Sequence, residues 1–244
     1  MEFLPTNNGK RKLIVDDDIS ELTGIKDIEI LDCRDCDLLT SIPNIKGLKE
    51  LHCDNCTSLT LLPNIKGLKE LHLNNCPMIT SIPIIKELRT LVCINCNSLT
   101  SIPNIEGLKK LILNNCNMLE SIPNIKDLNV LYCQECSLIT SIKNMEGLKI
   151  LNCIGCNLLT SIEYIEGLEE LFCSKCILLN EIPNILSLKF LRCEGCTKLT
   201  FIPNLKGLKY LDCRKCTKLT FISNLEGLKY LDCSKCTKLT FIPN

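Results

Sequence analysis

The amino-acid sequence predicts a repeat solenoid: short parallel β-strands stacked into a sheet, joined by extended or 3₁₀-like return segments, with little or no α-helix. Three observations carry that expectation. The 244-residue chain falls into register every 20 residues from Ile28 onward, and a fixed internal period marks stacked units rather than one globular core. Within each unit two apolar positions alternate and later ones follow every third residue, a strand pattern and then an extended one. Proline recurs late in the unit, where a helix would lose a hydrogen bond, and glycine recurs at its end, where the chain turns.

Residues 1–27 depart from the unit. Leu13, Ile19 and Leu22 would fall at its sixth, twelfth and fifteenth positions, so the segment is expected to be a degenerate repeat that caps the first coil. Its apolar run, Leu13 to Val15, is followed by Asp16, Asp17 and Asp18 and is too short for the core of a signal peptide. No apolar stretch approaches the ~18 residues of a membrane span. The expectation is a soluble, cytoplasmic protein without membrane association, whose 20 cysteines stay mostly reduced.

Residues 28–244 hold about eleven units, the last incomplete. One of them, Leu48 to Gly67, reads LKELHCDNCTSLTLLPNIKG. The first position is Leu in every unit after Ile28, the fourth is Leu throughout, and the ninth is Cys throughout, from Cys36 to Cys236. The sixth is Cys except at Leu73 and Leu113, and the twelfth, fifteenth and eighteenth are Leu, Ile or Met. Leu51 and Cys53, two apart, should face inward from a strand. Pro at the sixteenth position and Gly at the twentieth, as Pro63 and Gly67, place a non-helical return and a turn after it. No coil can bury its apolar face alone, so the array is expected to act as one cooperative unit. The last unit stops at Phe241, Ile242, Pro243 and Asn244, which leaves an edge expected to be uncapped and open to end-to-end self-association.

Nine Cys-x-x-Cys pairs, such as Cys33/Cys36 and Cys53/Cys56, lie 16 residues apart where they adjoin, inside the spacing of a four-cysteine zinc site. Leucine replaces the first cysteine at Leu73 and Leu113 while Cys76 and Cys116 persist, and the pattern runs on for eleven units. A zinc module would instead close on four ligands. Buried thiol ladders are therefore expected, the ninth-position thiol filling space and reaching a loop carbonyl. Disulfides are not expected, because in-register Cβ vectors do not converge. Thr at the thirteenth position, as Thr40 and Thr60, should pass hydroxyl hydrogen bonds between coils, and Asn at the seventeenth, as Asn44 and Asn64, should suit a turn.

The third, fifth, seventh and eighth positions should point outward from the sheet, and along the array they form three zones. The first is acidic and polar: Glu50, His52, Asp54, Glu70, His72 and Asn74. The second is apolar: Val92, Ile94, Ile112, Val130, Tyr132, Ile150, Ile154 and Phe172. The third is aromatic and basic: Phe190, Arg192, Tyr210, Arg214, Lys215, Tyr230 and Lys235. Residues 181–244 carry 11 basic and 5 acidic side chains, net +6, against a whole-chain balance of zero. A contiguous apolar strip marks an interaction surface, so Val92, Ile94, Ile112, Val130, Tyr132, Ile150, Ile154, Phe172, Phe190, Arg192, Tyr210 and Tyr230 are the candidate partner-binding residues. A metal site is not expected; the nearest to one is His52 and His72 with Glu50 and Glu70, a donor set that fits a divalent ion.

No phosphate loop, nucleophile elbow or isolated Cys–His pair is present, so no catalytic residue and no cofactor is expected. The expected function is a non-catalytic protein–protein interaction scaffold. The rival classes are a structural protein that assembles through its last coil and a thiol-rich metal-binding protein. Nucleic acid is disfavoured as a partner by the neutral overall charge.

The LxxLxCxxCxxL run followed by IPxI resembles the leucine-rich-repeat signature, with cysteine at the position where that signature carries Asn or Cys. Its C-x-x-L-T element resembles the cysteine-containing subclass, whose units are longer and carry a convex helix. The near-perfect IPNIKGLKxLxC-type units resemble repeat arrays encoded by giant DNA viruses of the mimivirus kind. The resemblance implies a horseshoe or rod with the parallel sheet on its concave face, and partner binding on that face. A viral source would imply host or virion proteins as targets, in host cytoplasm or virion.

Overall fold

A computed structural model describes residues 2–5, 11–240 and 242. They fall into two compact units, residues 1–118 and 119–244, and each is a β-solenoid whose coils each add one short strand to a main sheet.

In the first unit β1 (Glu2–Pro5) pairs antiparallel with β2 (Arg11–Ile14), which pairs parallel with β3 (Ile30–Asp32). Parallel pairing continues through β4 (Glu50–His52), β5 (Glu70–His72), β6 (Thr90–Val92) and β7 (Lys110–Ile112). The register is one repeat per strand, so Leu31, Leu51, Leu71, Leu91 and Leu111 lie side by side. In the second unit the sheet runs β8 (Val130–Tyr132), β10 (Ile150–Asn152), β12 (Glu170–Phe172), β13 (Phe190–Arg192), β15 (Tyr210–Asp212) and β17 (Tyr230–Asp232), all parallel. Two-residue strands pair across the return segments: β9 (Ser141–Ile142) with β11 (Ser161–Ile162), and β14 (Phe201–Ile202) with β16 (Phe221–Ile222).

Period-two alternation is realised as expected: Leu51 and Cys53 are buried while Glu50 and His52 are half-exposed. The return half is built from isolated tight turns. In the second coil the amides of Cys56, Leu59 and Leu68 each donate to the carbonyl three residues back, at 3.3, 3.2 and 3.3 Å. These are 3₁₀-type bonds taken one at a time, with proline between them preventing propagation, and no helix forms among the described residues. Threonine hydroxyls pass along the stack, Thr60 donating to the Thr40 carbonyl at 3.2 Å and Thr160 to that of Thr140 at 3.0 Å. The seventeenth-position asparagines Asn44 and Asn64 stand exposed.

Two expectations need correction. Leu13 pairs with Leu31 and so occupies the fourth position, not the sixth, which falls to buried Val15. Leu22 is buried and Ile19 is half-exposed. From Leu13 to Leu22 is nine steps, against eleven from Leu31 to Ile42, so this first coil is two residues tighter, and β1 covers its outer edge as an antiparallel strand. The eighth position is not an outward strand residue. It is left-handed in all eleven coils, with φ from 55° to 74°, and is filled by Asp35, Asn55, Asn75, Asn95, Asn115, Glu135, Gly155, Lys175, Gly195, Lys215 and Lys235. Asn, Asp and Gly tolerate that conformation. In the first unit the amide side chains stack as a ladder: Asn55 donates to Asp35, Asn75 to Asn55 and Asn95 to Asn75, at 2.6, 2.6 and 2.7 Å.

In the eleventh coil Leu228, Leu231, Cys233, Cys236 and Leu239 are half-exposed, whereas the same positions one coil earlier are buried. Phe241, Pro243 and Asn244, which belong to the expected uncapped end, lie outside the described residues. Among the described residues no helix is long and apolar enough to cross a membrane.

Candidate functional site

The cysteines fix the frame on which the surface residues are mounted. The ninth-position thiols of nine coils reach back one coil and donate to the carbonyl of the sixth residue there, while Cys36 donates to the Asp16 carbonyl at 3.5 Å. Cys56, Cys76, Cys116 and Cys156 do so to Cys33, Cys53, Cys93 and Cys133 at 2.9, 3.0, 3.0 and 3.0 Å. Cys176, Cys196, Cys216 and Cys236 repeat the bond to Cys153, Cys173, Cys193 and Cys213 at 3.1, 3.0, 3.1 and 3.0 Å. Cys96 makes it to Leu73 at 2.8 Å. The acceptor is main chain, so the bond survives where the sixth residue carries no sulfur. Burial pushes the Cys36 thiol up to about 12 and raises that of Cys76 as well, which keeps the S–H proton in place at neutral pH. Eighteen of the 20 cysteines are buried; Cys233 and Cys236 are intermediate.

On the outward face of the first unit, register places Glu50 beside Glu70 and His52 beside His72. The imidazole centroids are 4.7 Å apart and tilted by 40°. Burial and then the neighbouring His72 lower the His52 pKa, so the His52 ring favours its neutral form. Among the described residues, three or more metal-ligating atoms do not converge here; they do so at Cys33, Cys53 and Cys56. Val92 follows His72 in the fifth-position row and Ile112 follows Val92. Val92 is 6% exposed, and as the shortest of the three it offers little to a partner. Ile94 and Ile112 are half-exposed.

In the second unit the third-position row reads Val130, Ile150, Glu170, Phe190, Tyr210, Tyr230, and the fifth-position row reads Tyr132, Asn152, Phe172, Arg192, Asp212, Asp232. The apolar strip is thus broken by Glu170 and Asn152, while Ile154 stands half-exposed in the seventh row. The aromatic residues form a continuous stack of their own. Phe172 lies 5.0 Å from Phe190 at 37°, Phe190 is 4.2 Å from Tyr210 at 5°, and Tyr210 is 4.4 Å from Tyr230 at 4°. The sheet repeat of ~4.8 Å imposes this spacing, and ring pairs at such distances attract. Phe172, Phe190 and Tyr210 are half-exposed and Tyr230 is 45% exposed.

Beside the stack sits a charge cluster. The Asp212 carboxylate is 1% exposed and accepts a fork from Arg214, whose Nε and Nη2 both lie at 2.9 Å. Arg214 also reaches Glu194 at 3.2 Å and Asp232 at 3.4 Å, and Lys215 pairs with Glu194 at 2.8 Å. Arg192 donates to the Tyr210 hydroxyl at 3.4 Å and lies 3.5 Å from Asp212. Its Nε and the buried Ser174 Oγ have no hydrogen-bond partner. The same motif opens the first unit, where Arg34 forks onto buried Asp32 at 2.7 and 2.7 Å and Lys12 adds a contact at 2.8 Å. Arg192 and Arg214 are expected from the sequence as members of the outward zones, whereas Asp32 and Asp212 are not. The signal was the LDCR tetrapeptide that begins at both Leu31 and Leu211, which puts Asp and Arg two apart on one strand face.

No family model matches the chain, and no curated protein matches it. Among solved structures it is similar to a leucine-rich repeat protein from Bacteroides ovatus, with a TM-score of 0.58 and 17% identity, over 98% of this chain and 79% of that one. The fold is therefore a solenoid of the leucine-rich-repeat type.

Proposed function

We propose that the chain is a non-catalytic protein-interaction module that takes an extended protein segment on the outward sheet face of its second unit, along Phe172, Phe190, Tyr210 and Tyr230. The observation that carries this reading is the aromatic stack itself, half-exposed and flanked by Arg192. Tyr and Arg dominate binding energy at protein interfaces because they supply large rigid contact area together with directed donors. Here they are already ordered by stacking and ion pairing, so less side-chain entropy is lost on binding. Val130, Tyr132, Ile150 and Ile154 would widen the footprint in the second unit, and Ile94 and Ile112 would offer a further apolar patch on the first.

The fold supports this reading at a coarse level, since repeat solenoids present broad regular surfaces to partners. The likeness of the units to arrays of giant DNA viruses would make host or virion proteins the targets. The test is quantitative capture from host lysate by wild type, Phe172→Asp, Tyr210→Asp and Ile112→Asp. Loss of about 10-fold or more of the principal captured protein by the two second-unit variants is expected. Undiminished capture by both would refute the assignment.

A further inference from the structure

The cysteines of the first unit are not all equivalent. Cys33 and Cys53, neighbours in the sixth-position row, bring their sulfurs to 3.3 Å, and Cys56 joins them, so that all three sulfurs lie within 4.8 Å of one another. Among the described residues this is where three ligand atoms of such residues gather. Hydrocarbon closes the row on both sides: the sixth position is Val15 one coil before Cys33 and Leu73 one coil after Cys53, and both are buried. The thiol run of the second unit, Cys133 to Cys233, continues through six coils.

We propose that Cys33, Cys53 and Cys56 form a three-sulfur site for a soft monovalent ion, Cu(I). Thiolates select soft ions. Zinc in a structural site takes four ligands, whereas Cu(I) is satisfied by three sulfurs in a plane. At a metal–sulfur bond of ~2.3 Å, three sulfurs around one ion stand about 4.0 Å apart. The Cys33–Cys53 separation is 3.3 Å and all three sulfurs lie within 4.8 Å of one another, so small side-chain rotations build the site without moving the strands. Binding exchanges thiol protons for the ion, including the protons now directed at the His52 and Cys33 carbonyls. On the outward face one residue before Cys33, Lys12 and Arg34 face the single carboxylate of Asp32.

The test titrates the reduced full-length protein anaerobically with Cu(I) against a competing Cu(I) chelator. One ion per chain is expected, with near-ultraviolet thiolate-to-copper absorption. Cys53→Leu should weaken retention by at least about 100-fold, the upper end of what loss of an outer-shell partner costs. Leucine already stands at this position in two coils, so the variant retains a residue the fold accepts. Cys33→Val, which copies Val15, is the second variant and should behave alike. Cys173→Leu removes a sixth-position thiol outside the triad and should leave retention unchanged. Circular dichroism verifies that each variant is folded. The assignment is overturned if wild type retains no ion, if Cys53→Leu and Cys33→Val retain it like wild type, or if Cys173→Leu weakens it equally.

Discussion

The thiol of Cys96 donates to the main-chain carbonyl of Leu73 across 2.8 Å. That contact separates the roles of two cysteine positions that look alike in the sequence. The sixth supplies apolar bulk and a carbonyl, and leucine does both. The ninth supplies a compact donor that must fit under the next coil, and cysteine is found there in every unit.

Cys96→Ala should therefore cost ~1–3 kcal/mol, the penalty for a buried carbonyl left without its donor. Cys96→Ser keeps a donor and should lose less, and Cys153→Leu, at the sixth position, should also lose less than Cys96→Ala. Urea unfolding midpoints check the order. A Cys153→Leu loss equal to that of Cys96→Ala would contradict the separation of roles.

Burial pushes the Asp32 carboxyl up, but hydrogen bonds and charge from Arg34 and Lys12 outweigh it and hold the group well below the usual carboxylate range. A folded-state value below the unfolded one means stability that is present above about pH 4 and lost as pH falls further. Denaturant unfolding from pH 7 down to 3 should show this loss. Asp32→Asn should be less stable at pH 7 and should show a flatter acid limb.

His52 is lowered by burial and then by His72. Protonation therefore opposes folding, and stability falls as pH drops below about 6.5. In a nuclear magnetic resonance titration His52 should have its midpoint below that value. His72→Gln should bring it part of the way back, leaving the share due to burial. An unmoved His52 midpoint in that variant would remove the coupling.

Tyr210 is stacked on both faces, by Phe190 and Tyr230. Each contact is worth ~0.5–1.5 kcal/mol beyond area burial, so Tyr210→Ala should lose at least about 1–3 kcal/mol. A double-mutant cycle with Phe190→Ala should give a coupling near 1 kcal/mol. A coupling near zero would make the stack a geometric accident of the repeat.

Lys175 and Lys235 hold left-handed backbone at φ 61° and 63°, where a residue with a Cβ is strained by roughly 1–2 kcal/mol. Lys175→Gly should raise the melting temperature despite glycine's entropy in the unfolded chain, and Lys175→Asn should do so as well. Asn75→Val, which places a branched side chain at φ 55° and breaks the amide ladder, should lower it.

The repeat period, the inward alternation and the buried thiols were legible because each depends on one residue and its neighbours 20 positions away. The eighth-position turn was not, although Asn, Asp and Gly fill most of it, because Lys175, Lys215 and Lys235 masked the left-handed signature. The register of the first coil was missed for a related reason: two residues are absent from its turn, and only strand pairing shows where. The aromatic residues were named one by one. Their union into a single stack depends on Phe172 and Phe190 approaching diagonally from two different rows, a relation between coils that no single unit contains. Asp212 was overlooked because an acid between Leu211 and Cys213 reads as solvent-facing until Arg214 folds over it.

Because the ninth-position sulfurs of Cys56, Cys76, Cys96 and Cys116, and of Cys156 onward, find their acceptors in the backbone of the preceding coil, the inner seam asks nothing of that coil's side chains. A unit can be copied, deleted or moved along the gene without breaking the bond that joins it to its predecessor. The surface pattern is then free to be shuffled coil by coil, and the near-identical last units are what such growth leaves behind.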